Sequence, residues 1–127
     1  MIGTATFTAS DFSRTFTDTD GSDHGWGATH LIWGGAVNSR RFYGTALVIA
    51  NNGPDDVGQG RPLPSTSVDQ YAATQGQWFG ISDTGLLTVL PNLGRWDVGV
   101  RGVGFVKGYG ETQVAPEPST WAILLWP

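Results

Sequence analysis

Gly21-Ser22-Asp23-His24-Gly25-Trp26-Gly27-Ala28-Thr29-His30 is the stretch on which the reading of this chain turns. Both histidines of the sequence lie in it, one of them beside a carboxylate. An Asp next to an imidazole, with a second imidazole a few residues on, is a donor set for a borderline metal such as Zn²⁺ or Mn²⁺. Adjacent residues cannot aim at one point from a helix. From a Gly-rich loop they can, because Gly frees the backbone to turn both side chains inward. Asp23, His24 and His30 are therefore the candidate metal ligands, placed in a loop after the first strand. The alternative is a surface turn in which Asp23 caps its own backbone.

Few other residues compete with this stretch. Asp18 and Asp20 can extend an acidic site, but no Glu stands at the twelfth position that a calcium loop starting at Asp18 requires. Arg14, just past the first β-rich segment, is either a ligand residue at a strand end or half of a structural ion pair. Asp55-Asp56 reads as a solvated turn. Gly58-Gln59-Gly60 is too short for a phosphate loop. No Ser or Thr sits in a nucleophile-elbow pattern, and cysteine is absent, so no catalytic residue is assigned.

Composition narrows the classes. The chain has 127 residues, the length of one small domain or a piece of a larger one. Charged residues make up 14%, against roughly 25% in ordinary soluble domains. The net charge of −4, with no run of Lys or Arg, argues against nucleic acid as a partner. Six Trp and six Phe supply core material and argue against full disorder. The longest apolar run, Trp121 to Trp126, is far below the ~20 residues of a membrane span, and Met1 to Ser10 has neither the basic nor the apolar region of an export signal.

Local patterning predicts several elements. Thr4 to Ala9 alternates Thr with apolar residues, a β-rich start. His30–Trp33 and Phe42–Ile49 read as short strands, the second the better one. Asn51 to Pro64 is a polar loop. Thr66 or Ser67 then caps a helix running to Phe79, with Val68, Tyr71, Ala72, Gln75, Trp78 and Phe79 near one face and Gly80 as its stop. Tyr71, Trp78 and Phe79 are expected to be buried. Ser82 and Asp83 cap a shorter helix that Pro91 ends. Val98, Val100, Val103 and Phe105, interleaved with Gly, read as a weak strand.

Several motifs, in this order, resemble one group: Ser10-Asp11-Phe12-Ser13-Arg14-Thr15, Gly21-Ser22-Asp23-His24-Gly25-Trp26-Gly27, Gly34-Gly35-Ala36-Val37, Tyr43-Gly44-Thr45, Gly53-Pro54-Asp55-Asp56, Ser65 to Tyr71, and Leu90-Pro91-Asn92-Leu93-Gly94. The group is the bacterial domain of unknown function 1501 family, within the alkaline phosphatase and sulfatase superfamily. The resemblance spans roughly residues 4 to 96. It implies an α/β sandwich with a mostly parallel sheet, of which this chain is the C-terminal fragment. It also implies that Asp23 and His24, and less directly His30, bind a divalent metal, Zn or Mn, weakly in this fragment. The family has Gly where Ser13 stands here. Its nucleophile, its other metal ligands and its twin-arginine export signal lie upstream of the matched region.

The tail from Ala115 to Leu125, with Pro116-Glu117-Pro118, is similar to the start of a Pro-Glu-Pro sorting signal that directs proteins to the cell envelope. The expected organisation is thus an alkaline-phosphatase-like part over residues 1–96, followed over 97–127 by a Gly-rich segment and a poorly ordered sorting-like tail. The expected function is part of the metal site of an exported phosphate- or sulfate-ester hydrolase-like protein, inactive alone. The alternative is a non-catalytic envelope or secreted protein that retains the scaffold. The expected partners are the N-terminal part of the same domain and further copies of the chain. A membrane span and nucleic acid are not expected.

Overall fold

Ser82, Gly80 and Pro91 punctuate the helical half of the chain as the sequence predicts. The computed structural model describes residues 3–16 and 20–108. Contacts divide the chain into two compact units, Met1–Val68 and Asp69–Pro127.

Helix α1 spans Val68–Trp78 and is the longest element. It ends in a Schellman motif. Gly80 takes φ 87°, its N–H donates to the Gln77 carbonyl, and the Ile81 N–H reaches back to the Gly76 carbonyl. Ser82 then caps α2, Asp83–Val89, its hydroxyl accepting from the Gly85 N–H at 3.2 Å. Pro91 opens a 3-10 turn over Pro91–Arg95, and a second such turn covers Val98–Val100. Replacing Ser82 by Ala leaves that N–H without its cap and is expected to cost about 1 kcal/mol. A urea titration followed by helical circular dichroism checks it; an unchanged midpoint would show the cap to be idle.

The face that α1 buries differs from the expected one. Ala73 and Thr74 are buried, Tyr71 and Trp78 are half-buried, and Phe79 is 55% exposed. Small residues win because α2 approaches closely: a Cβ added at Gly76 would lie 2.7 Å from Leu86 Cδ2. Ala73, Leu86 and Leu93 form the core cluster, with Leu87 and Leu90 against it. Tyr71 instead packs on the buried Phe105, ring centroids 5.4 Å apart, and this burial pushes the phenol pKa up. Phe79 meets Trp78 edge-on at 5.0 Å.

The segment after Trp96 is no strand. Two of its backbone groups are taken by side chains of α1. Gln70 Nε2 donates to the Val100 carbonyl at 2.6 Å, and the Val103 N–H donates to Thr74 Oγ1 at 2.7 Å. Residues from Gln113 onward, including the sorting-like tail, lie outside the described residues.

The first unit holds four two-residue strands: β1 Thr6–Phe7, β2 Ser13–Arg14, β3 His24–Gly25 and β4 Ile32–Trp33. They pair as two antiparallel ribbons. Thr6 faces Trp33 and Phe7 faces Ile32 in one; Ser13 faces Gly25 and Arg14 faces His24 in the other. This corrects the expected alkaline-phosphatase-like sandwich, since the described residues contain no parallel sheet. The physical reason is in the element order. A parallel pair needs a crossover of a dozen or more residues, usually a helix, whereas here every strand precedes both helices. Two-residue strands, one ribbon of which is built from Ser13, Arg14, His24 and Gly25, also lack the continuous apolar character of a doubly covered parallel sheet.

Gly34 sits where the β1–β4 ribbon closes. It has φ 134°, and a Cβ there would run into the Thr4 carbonyl. Phe42–Ile49, expected as the better strand, forms no ladder. Side chains satisfy its backbone: Thr45 exchanges two hydrogen bonds with Ser65 Oγ, and the Val48 N–H donates to Asp55 Oδ2 at 2.7 Å.

Asn51 to Pro64 is a loop organised by one carboxylate. Asp56 accepts from the backbone N–H groups of Asn52, Gly58, Gly60 and Arg61 at 2.9–3.3 Å. The Asn52 N–H leads in holding the Asp56 carboxyl below the usual aspartate pKa, against an opposing effect of burial. Because the folded pKa is lowered, the stabilisation is complete above the unfolded value of about 3.9 and is lost as pH falls through the lower folded value. A carboxyl ¹³C titration should place the Asp56 midpoint below that of an unstructured Asp. A midpoint at the ordinary value would contradict this account of the loop.

Candidate functional site

Asp23 and His24 occupy the β2–β3 ribbon, and both are exposed. The ribbon holds them from beneath. The Asp23 N–H donates to Thr15 Oγ1 at 2.9 Å, and the Thr15 N–H donates to the Asp23 carbonyl at 3.0 Å. Thr15 itself is buried. Asp23 Oδ1 accepts the His24 N–H at 2.7 Å. The His24 ring stacks on Phe12, centroids 3.9 Å apart and planes 20° from parallel. Arg14 lies over the same Phe12 ring at 5.2 Å and donates to the Ser22 carbonyl at 3.0 Å. Arg14 is thus a clamp on the turn; its side chain forms no ion pair among the described residues.

Gly25 is required for this geometry. It is buried, and a Cβ there would lie 2.8 Å from Ser13 Oγ and 3.1 Å from the Arg14 carbonyl group. Ser13 Oγ is itself buried and has no hydrogen-bond partner among the described residues.

Among the described residues, Asp23 Oδ2 and both ring nitrogens of His24 make no hydrogen bond. These are two adjacent ligands with open donor atoms, on a ribbon oriented by stacking and backbone hydrogen bonds. His30 lies elsewhere, just before β4. Its Nδ1 meets Thr8 Oγ1 at 3.3 Å, and the same hydroxyl accepts the Leu31 N–H at 2.9 Å. No group of three or more His, Asp or Glu side chains with metal-binding geometry occurs among the described residues; Asp18 is not one of them. Two donors are half of a tetrahedral Zn²⁺ shell. Asp55 is turned onto the Val48 N–H of the preceding segment, and Asp56 onto backbone N–H groups of its own loop.

Sequence reasoning missed the Phe12 platform. Phe12 lies two residues before Arg14, and its contact with His24 depends on the register of β2 against β3, which no local signal carries. No family model, curated protein or solved structure matches this chain.

Several large apolar side chains of the first unit are exposed. Trp26, Leu31, Trp33, Phe42 and Ile49 are all more than half exposed, while the buried apolar residues among the described residues of the first unit are Ala36 and Val37. No helix among the described residues is long and apolar enough to cross a membrane.

Proposed function

We propose that this chain supplies part of a divalent-metal site, with Asp23 and His24 as its ligands, and is not catalytic alone. The observation that carries this reading is the pair of adjacent, exposed ligand side chains whose Oδ2 and imidazole nitrogens are unengaged among the described residues. Two further donors, from protein outside these residues or from a partner surface, complete a shell for Zn²⁺ or Mn²⁺. A metal held so polarises an ester oxygen and stabilises developing negative charge. The ordered motifs shared with the domain of unknown function 1501 family suggest phosphate or sulfate esters as the substrate class and an exported protein as the context. The exposed aromatic and aliphatic side chains of the first unit favour a covering partner, a second copy among them.

Turnover also needs a nucleophile positioned against the metal, and among the described residues no Ser or Thr near Asp23 and His24 has a base hydrogen-bonded to its hydroxyl. The purified chain, supplied with Zn²⁺ or Mn²⁺ and aryl phosphate or aryl sulfate, is expected to hydrolyse neither above the metal-only background. Turnover abolished by His24→Ala would overturn the reading.

A further inference from the structure

The second unit encloses a cavity of about 40 Å³, room for roughly three waters at about 10–15 Å³ each. Its aliphatic lining is the buried Ala73 from α1, Leu86 from α2 and Leu93, which form its floor, with the largely exposed Val98. Three polar side chains, Gln77, Asp83 and Arg101, share its wall.

The position of Arg101 is set from both sides. Gln70 holds the Val100 carbonyl and the fully buried Thr74 holds the Val103 N–H. Gln70, Thr74 and Gln77 recur at helical spacing on α1, so the stripe that fastens this segment also delivers Gln77 to the cavity. The Arg101 Nε donates to the Trp96 carbonyl at 3.1 Å, which fixes the guanidinium plane. Its terminal nitrogens donate to nothing among the described residues. Asp83 Oδ1 receives only a long 3.5 Å contact from Gln77 Nε2. A cation and an anion therefore line one small cavity, and neither forms an ion pair with the other or with another charged side chain among the described residues.

A fixed guanidinium presents a fork for a carboxylate. Asp83 in the same wall repels a simple carboxylate and attracts an ammonium. The aliphatic floor accepts a methyl group, and the volume excludes a long chain. We propose that this cavity binds a small α-amino acid of alanine size as its zwitterion, the carboxylate on Arg101, the ammonium toward Asp83 and Gln77, and the side chain on the Ala73–Leu93 floor. This site is separate from Asp23 and His24 and does not depend on a metal.

The test is a titration of the whole chain with L-alanine, followed by ¹H–¹⁵N NMR, alongside propionate, ethylamine and L-leucine. Saturable shifts at the Ala73 and Gln77 amides and at Arg101 Nε are expected with alanine and not with the other three. Arg101→Gln and Asp83→Asn should each weaken alanine binding by about tenfold or more, the loss of a charge-assisted contact. Ala73→Leu should abolish it by filling the floor. Helical circular dichroism verifies that each variant is folded, and the two charge variants decide the matter if Ala73→Leu is not. Propionate binding as well as alanine would overturn the zwitterion assignment. No saturable shift with alanine, or equal shifts in both charge variants, would overturn the site.

Discussion

Replacing Phe105 by Ala is expected to cost about 3–5 kcal/mol of the second unit's stability. Phe105 is 1% exposed, so truncation removes its transfer free energy and opens a cavity beside α1. It also removes the ring that Tyr71 packs against at 5.4 Å, worth a further 0.5–1.5 kcal/mol in typical aromatic pairs. Domains of this size have roughly 5–15 kcal/mol in all, so the loss takes a large share. Urea unfolding followed by helical circular dichroism reads it directly, since both α-helices belong to this part of the chain. A change below about 1 kcal/mol would show that Phe105 does not anchor the unit.

Leu93→Ala should cost about 2–5 kcal/mol. Leu93 is completely buried, and it closes the cluster of Ala73 and Leu86 with Leu87 and Leu90 at its edge. Because Leu93 and Ala73 share that cluster, their substitutions should not be additive. Adding Ala73→Leu to Leu93→Ala returns volume to the void, so the double variant should be more stable than the sum of the two single losses predicts. Strict additivity would mean that the two side chains do not share a packed core.

What was legible in the sequence was local. Ser82, Gly80 and Pro91 act through hydrogen bonds or ring geometry within a few residues, and α2 begins and ends where they direct. The stretches misread as strands failed for one common reason. Phe42–Ile49 and Val98–Phe105 have β-forming side chains, but some of their backbone groups are met by Ser65 and Asp55 in one case and by Gln70 and Thr74 in the other. Those partners lie 7 to 30 residues away in sequence, and nothing in the strand-like segment announces them. The buried face of α1 was misjudged similarly, because Leu86 reaching toward Gly76 makes the small side favourable over the aromatic one.

The candidate site shows the same division. Asp23 and His24 stand out by residue type, and their exposure on a Gly-rich ribbon follows from Gly25 and the turn chemistry around it. The Phe12 stack under His24, the Arg14 clamp and the separate placement of His30 are consequences of pairing register. Antiparallel pairing of Arg14 with His24 and of Phe7 with Ile32 places His24 in one ribbon and His30 beside the other.

A calorimetric Zn²⁺ titration of the wild-type chain and of His24→Ala tests the central claim most directly. Complete structural zinc sites bind with apparent free energies of about 10–16 kcal/mol. Two of four ligands should retain about half of that, about 5–8 kcal/mol, a dissociation constant on the order of 1–200 µM. The account predicts one site in this range that His24→Ala removes. Nanomolar binding, or binding that His24→Ala leaves unchanged, would contradict it.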